Sequence, residues 1–301
     1  MNCLRNHKNQ KNEVPVWVSE GLVDGFVSIT VAKKETPQNR RILLDQHLDL
    51  RPAVELTRDS GCRVLMGLRG TLGRQLASSA TPPMIWAAAA LAYEQGADGF
   101  GLCDGMWAPN GWPWTNEDYS TLRLLGHPDL LATADKHYIA RSLARGSDST
   151  EGLFPVAGPI LPQALEEGRP LAIPLYVTDE LERRAEEGRV EEVRFSVRLT
   201  NIELPLDQVE VRLNGTVLPD AMLEPSDLHF RAFENIIVGP YGYVMEYRLP
   251  RNRYPVRGDN SVQVTLVRRD PKITLPVEVY DVDLAVKYRA HRHFQDQPIH
   301  Y

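Results

Sequence analysis

The sequence predicts an α/β segment with parallel strands, followed by an antiparallel β-sandwich. Two observations lead to this fold class. Residues 61–107 read as a buried strand, a capped helix and a second buried strand, joined by short connections. From Pro170 onward, apolar and polar residues alternate with a period of two, which is typical of antiparallel strands that bury one face.

The strand-helix-strand pattern is the most regular part of the first half. The apolar run Arg63–Leu68 has no helical period, as expected for a strand buried on both faces. Thr81 and the two prolines after it favour a helix start, because Thr can cap free amides and Pro is tolerated in the first turn. Gly96 is expected to end the helix, and Phe100–Cys103 forms the next strand. Such a unit is right-handed and its strands are parallel.

Weaker patterns complete the first half. An Asp-Gly turn leads into a strand over Phe26–Ile29, and Asp49 is placed to cap a helix over Pro52–Arg58. Helical stretches are expected at Glu117–Leu125 and at Pro128–Ser142.

Changes in composition mark the predicted segments. The stretch between the two halves is rich in Gly, Ser and Pro and is predicted to be a linker. In the second half, Asn214-Gly215 is the strongest hairpin signal in the chain. The segments in order are a disordered N-terminus (1–13), the α/β segment (14–145), the linker (146–168), the sandwich (169–290) and a tail (291–301).

Charge and hydropathy exclude several classes of partner. The net charge of −6 argues against nucleic acid, because phosphate binding needs a clustered basic surface. No run approaches the ~20 apolar residues of a membrane helix, and the N-terminus lacks the apolar stretch of a signal peptide. We therefore expect no membrane partner and a cytoplasmic location, unless an export signal precedes Met1. The three cysteines are too widely spaced for a disulfide framework or a zinc site, so no metal is expected.

Two parts of the chain resemble known families. The phrases WVSEGLVDGFVSIT, SGCRVLMGLRG and TPPMIWAAAALAYEQGADGFGLCDGMW, in this order, resemble the closing strands of bacterial glycoside hydrolase-like (β/α)8 barrels. The phrases VEVRLNGTVL and RYPVRGDNSVQVTLV are similar to the galactose-binding-like β-sandwich. The resemblance implies a partial parallel TIM-barrel segment, the C-terminal part of a barrel, followed by the sandwich.

The sequence departs from the barrel pattern in two respects. Only three of the eight barrel strands are predicted before the sandwich. We therefore expect an upstream segment, a partner chain or the sandwich itself to cover the open edge of the sheet. In many barrel glycosidases the second carboxylate ends the seventh strand, whereas here that strand ends in Leu68-Arg69-Gly70. Because glycoside cleavage uses two carboxylates, we expect this chain alone to be inactive.

The candidate site residues follow the carboxyl ends of the strands, where such α/β units carry their chemistry. Asp104 is the candidate catalytic acid or a ligand of sugar hydroxyls; the alternative is a loop residue that bonds neighbouring amides. Arg69 either holds a carboxylate or a group of hydroxyls, or pairs with an adjacent acid. Asp45 and His47, in a loop of uncertain course, are weaker candidates for the same site.

Three tryptophans lie in the loop that follows Asp104. Trp107, Trp112 and Trp114 form a predicted substrate platform, because aromatic rings pack against the apolar face of a sugar. The alternative is a rim loop that packs onto the following helices. No phosphate-binding loop is present, so no nucleotide cofactor is expected. The sequence thus predicts a glycoside hydrolase-like protein that acts on or binds carbohydrate, or else a non-catalytic carbohydrate-binding or assembly protein.

Overall fold

The structure is a computed structural model, and it describes residues 10–33, 41–68, 80–102, 116–142, 149–151, 161–226 and 242–289. The helices are α1 (Gln10–Ser19), α2 (Arg51–Thr57), α3 (Pro82–Glu94), α4 (Asn116–Leu125), α5 (Pro128–Leu131) and α6 (Leu181–Glu186). The strands of the first half are β1 (Gly25–Ser28), β2 (Thr30–Lys33), β3 (Arg41–Leu43), β4 (Arg63–Leu68), β5 (Gly99–Leu102), β6 (Lys136–Ile139) and β7 (Ser149–Glu151). Those of the second half are β8 (Gln163–Ala164), β9 (Leu171–Val177), β10 (Val190–Thr200), β11 (Gln208–Leu213), β12 (Thr216–Val217), β13 (Leu223–Ser226), β14 (Gly242–Arg248), β15 (Gly258–Arg268) and β16 (Glu278–Tyr288).

A small parallel sheet contains the predicted strand-helix-strand unit. Its order is β1-β4-β5, and both neighbouring pairs are parallel. All residues of β4 from Val64 onward are buried, which agrees with a strand covered on both faces. Helix α3 connects β4 to β5 and begins at Pro82 as predicted, although the Thr81 side chain makes no capping bond. Gly96 has a φ of +92°, the left-handed conformation expected of the residue that ends a helix.

Two larger antiparallel sheets contain all the described strands of the second half, and one of them also contains β6. One has the order β13-β14-β10-β16-β6, with β8 also paired to β16, and the other has the order β12-β11-β15-β9. Side chains from both sheets, among them Phe195 and Val264, belong to one continuous cluster of buried hydrophobic residues. The predicted hairpin is present, since Asn214 and Gly215 have φ values of 51° and 76° between β11 and β12.

The predicted fold class, a partial parallel TIM-barrel segment followed by an antiparallel β-sandwich, is wrong. Among the described residues, parallel strand pairs occur in β1-β4-β5, with two isolated parallel bridges elsewhere, and the other three sheets, including β3-β2-β7, are antiparallel. Moreover, β6 pairs with β16, so one antiparallel sheet contains strands from both sides of the predicted linker. The architecture is therefore mostly antiparallel and is not an open third of a barrel.

The error arose partly at residues 128–142, which were predicted to be helical. Only Pro128–Leu131 is helical, and Lys136–Ile139 is a strand. Backbone pairing with β16 outweighs the local helix propensity of this short stretch. Helix α1 begins at Gln10, within the segment predicted to be disordered. The other predicted segment boundaries, at residues 145, 168 and 290, remain predictions.

Asp207 connects the loop before β11 to the loop after β15. Its carboxylate accepts the backbone N–H groups of Glu203 at 3.0 Å and Asp270 at 2.8 Å, and it pairs with Arg269. Burial by itself would raise the pKa of Asp207, but these three donors favour the charged form and the net effect is a lowered pKa. The charged carboxylate therefore stabilises both loops.

We predict that Asp207 contributes to loss of stability in acid. Because the pKa is lower in the folded chain than in the unfolded one, the contribution is complete above the unfolded value of about 3.9 and is lost as pH falls through the folded pKa. Asp207→Asn is expected to lower the urea midpoint at pH 7 and to flatten its dependence on pH between pH 5 and pH 3. The exposed variant Asp129→Asn is the control, and an equal pH dependence in both variants would contradict the assignment.

A second prediction concerns the packing of the parallel sheet. A Cβ at Gly101 would lie 2.8 Å from Val27 Cγ2, whereas a Cβ at Gly126 would meet no atom within 4 Å. Gly101→Ala is therefore expected to lower the free energy of unfolding by about 1–3 kcal/mol through overpacking. Gly126→Ala should have little effect. Urea denaturation followed by circular dichroism measures both, and equal stability of the two variants would show that β1 and β5 are not packed this closely.

Candidate functional site

Most of the predicted site lies outside the described residues. This holds for Arg69, Asp104 and the three tryptophans Trp107, Trp112 and Trp114, whose roles remain predictions. The strands that precede them are described. Leu68 at the end of β4 and Leu102 at the end of β5 are partners in the register of the sheet. Neighbouring strands lie about 4.8 Å apart, so β4 and β5 end at adjacent points of the sheet.

Asp45 and His47 are the two predicted site residues that the structure describes, and Asp45 is the acid of the two. It is 8% exposed, and its carboxylate is engaged on both oxygens. Oδ1 accepts the backbone N–H of His47 at 2.9 Å, and Oδ2 lies 3.3 Å from the Arg141 guanidinium. The next residue, Gln46, bonds the carbonyl of Met84 in the first turn of α3, which places Asp45 on the carboxyl-edge side of the parallel sheet.

The loop that carries Asp45 is bonded to strand β6. Gln46 donates from Nε2 to the carbonyls of Met84 (3.1 Å) and His137 (2.8 Å), and its Oε1 accepts the N–H of Ile139 at 2.9 Å. The His47 Nε2 lies 2.8 Å from the Ile139 carbonyl, so this nitrogen is the donor. Sequence reasoning missed Gln46 and Arg141, because their partners lie between 38 and 96 residues away along the chain.

A cavity of about 320 Å³ lies at the opposite end of α3. One wall comes from the last turn of α3 and from α5 and is mostly apolar, with Tyr93 and Leu131 as its largest residues. The other wall is charged and comes from residues 178–184 and from Arg257. Its volume falls at the small end of the range for ligand pockets. The sequence contained no motif that would have located this cavity, since its walls come from distant segments.

A buried ion pair forms the inner side of the cavity. Lys136 Nζ lies 2.9 Å from Asp179 Oδ1, and the two side chains are 0% and 4% exposed. Lys136 also donates to the carbonyl of Ala134 at 3.2 Å and lies 5.4 Å from the centre of the Tyr288 ring, a cation–π distance. The pair joins β6 to the segment that follows β9, because Asp179 comes two residues after Val177.

Two tyrosines next to this pair remain protonated. Burial raises the pKa of Tyr138 well above its ordinary value, and the negative charge of Asp179 adds to the effect. The pKa of Tyr288 is raised for the same two reasons. The Tyr138 hydroxyl lies 2.7 Å from Thr178 Oγ1, so it is hydrogen-bonded. These hydroxyls therefore act as neutral donors or acceptors and not as bases.

Arginine and glutamate side chains line the outer part of the cavity. Arg257 donates to Glu94 Oε1 through Nε at 2.9 Å and Nη2 at 2.7 Å, and to Glu180 Oε1 through Nη1 at 3.2 Å. Arg183 Nε lies 2.6 Å from Glu180 Oε2, and Arg184 Nη1 donates to Glu187 at 3.0 Å. The two oxygens of Glu180 are thus both used, whereas each of these two arginines has further N–H groups.

Within the described ranges, no three His, Cys, Asp or Glu side chains are grouped closely enough to hold a metal ion. None of the helices α1–α6 has the length and apolar character that crossing a bilayer requires.

We predict that the Lys136–Asp179 pair is essential for stability. Removing one partner leaves a buried charge unpaired, so Lys136→Met is expected to lower the free energy of unfolding by about 3–5 kcal/mol. The double variant Lys136→Met, Asp179→Leu should recover most of this loss, because it removes both charges. Urea denaturation at pH 7 is the measurement.

The matched control is Lys287→Met, which removes an exposed lysine paired with Glu191. Its effect should be small, because solvent and salt screen exposed pairs. A Lys136→Met variant as stable as Lys287→Met would show that the buried pair adds nothing to stability.

Comparisons with known proteins do not assign the chain to a family. No known protein family matches the sequence. No curated protein matches it either. One solved structure with a partial likeness is described as "BpGH86A: A beta-porphyranase of glycoside hydrolase family 86 from the human gut bacterium Bacteroides plebeius". It is 16% identical with a TM-score of 0.27, and the match covers 52% of this chain and 21% of that one. The matched region spans about a fifth of that enzyme, and at these values the likeness supports no conclusion about function.

Proposed function

We propose that the protein binds carbohydrate at the carboxyl edge of the parallel sheet and does not cleave glycosidic bonds by itself. The observation that carries this proposal is the convergence of three chain segments at that edge. Leu68 and Leu102 are register partners, and Gln46 bonds the Met84 carbonyl in the first turn of the helix that connects their strands. The ends of β4 and β5 and the loop that contains Asp45 therefore lie on the same side of the sheet.

The residue types in these segments suit a sugar. Indole rings such as Trp107 and Trp112 bury the C–H face of a pyranose, while polar groups bind its hydroxyls. Asp104 would accept hydrogen bonds from hydroxyl groups, and Arg69 would donate them. This combination of aromatic and planar polar side chains supports carbohydrate as the class of ligand.

The state of Asp45 argues against hydrolysis. A glycosidase needs a proton donor and a second carboxylate roughly 5–10 Å apart on opposite sides of the bond. At this edge the described residues offer Asp45, whose oxygens bond the His47 amide and the Arg141 guanidinium. A buried carboxylate held in this way orients the loop and does not reach a substrate. Asp104 is then the sole acid among the predicted site residues that is left for chemistry, and one carboxylate does not make a pair.

The proposal is tested by titrating the chain with a panel of oligosaccharides while following tryptophan fluorescence. We expect saturable binding, and the double variant Trp107→Ala, Trp112→Ala should weaken it about tenfold or more, because two stacking contacts are lost. No release of reducing ends is expected from the same oligosaccharides.

The control is Trp17→Phe, since Trp17 packs against the separate buried cluster around Phe26. It should leave affinity unchanged. Binding that the double variant does not alter would place the ligand elsewhere and overturn the proposed site. Hydrolysis that Asp104→Asn abolishes would overturn the proposal that the chain is non-hydrolytic.

A further inference from the structure

The cavity at the C-terminal end of α3 has no role in the proposed carbohydrate site. We propose that it binds a small organic anion, whose carboxylate or phosphate group is held by Arg183 and Arg184 and whose apolar body lies against Tyr93 and Leu131. The two sites occupy opposite ends of a helix that is about 20 Å long, so either proposal can fail alone.

The balance of donors and acceptors points to an anion. Glu180 uses one oxygen for Arg183 and the other for Arg257, and Asp179 Oδ1 is used by Lys136. In the described part of the chain, Arg183 makes one bond through Nε, and its Nη1 and Nη2 groups make none. Arg184 makes one bond through Nη1, which leaves Nε and Nη2. The carboxylate oxygens left in the cavity are Asp179 Oδ2, which has no hydrogen-bond partner within the described structure, and Glu94 Oε2. The free N–H groups of the two arginines outnumber these oxygens, which suits a ligand rich in acceptor oxygens.

Guanidinium groups suit oxyanions in geometry as well as in charge. Their planar fork of N–H groups matches the two oxygens of a carboxylate or phosphate, and such charge-assisted bonds are stronger than neutral ones. The side chain of Arg184 is 19% exposed and that of Arg183 is 58% exposed, so water screens Arg184 less and Arg184 is the stronger anchor of the two.

The two arginines stand on a rigid support. Their helix, α6, is held by Leu181, which is 1% exposed in the main hydrophobic core. The residue two positions before Leu181 is Asp179, which the buried pair with Lys136 fixes in place. Arginines that are positioned before the ligand arrives lose less conformational entropy on binding.

The opposite wall defines the rest of the ligand. Tyr93 is anchored by a hydrogen bond of 2.7 Å from its hydroxyl to the Leu125 carbonyl and by an edge contact with Phe100. Leu131 and Ala132 complete an apolar surface that faces the charged wall. A compact ring or short chain that carries one anionic group would satisfy both walls within about 320 Å³.

The test is isothermal titration calorimetry of the full chain with phenyl phosphate, benzoate, inorganic phosphate and the neutral benzamide. We expect phenyl phosphate or benzoate to bind saturably, benzamide not to bind, and inorganic phosphate to bind at least tenfold more weakly than phenyl phosphate. The double variant Arg183→Gln, Arg184→Gln should weaken binding of the organic anion tenfold or more. Comparison of phenyl phosphate with benzoate identifies which anionic group the site prefers.

The control variant is Arg169→Gln, which removes an exposed arginine that pairs with Glu166 away from the cavity. It should bind the anion as the unchanged chain does, and circular dichroism melting checks that all variants fold. Absence of binding by both organic anions would overturn the proposal. So would binding that the double variant leaves unchanged, or binding of benzamide as tight as that of benzoate.

Discussion

The burial of charge at strand β6 is the constraint on which the rest of the structure depends. Lys136 is completely buried, and only Asp179 and the Ala134 carbonyl supply it with oxygen partners within the described structure. A lysine in this position requires that the end of β9 come within bonding distance of β6. The same strand pairs with β16 through its backbone, so one short segment joins the first half of the chain to both large sheets.

Strand β6 also determines the position of the loop that contains Asp45. The Gln46 side chain bonds β6 in the manner of a backbone amide, accepting the N–H of Ile139 and donating to the carbonyl of His137. Because Gln46 also bonds Met84 in the first turn of α3, the loop is held between the helix and the strand. The Gln46 amide is thus bonded through both its nitrogen and its oxygen, and a loop fixed in this way suits the orientation of a ligand better than the transfer of a proton.

The two ends of α3 consequently differ in chemical character. At its N-terminal end, Asp45 pairs with Arg141, and Gln46 bonds the Met84 carbonyl. At its C-terminal end, Glu180 is engaged by Arg183 and Arg257, and guanidinium N–H groups of Arg183 and Arg184 remain available. Such an excess of donors in a concave region is the usual basis for the recognition of an anion.

The sequence by itself determined those helices, strands and turns whose signals lie within a few neighbouring residues. The apolar run of β4, the helix between Pro82 and Gly96 and the turn at Asn214-Gly215 follow from side-chain volume, ring constraint and backbone freedom, and these act within a few residues. Only the tertiary structure decided which strands pair. Strand β6 was predicted to be helical because its partner, β16, lies about 140 residues further along the chain. The buried Lys136–Asp179 pair, the Gln46 bridge and the cavity arise for the same reason, since each joins segments that carry no sequence signal for one another.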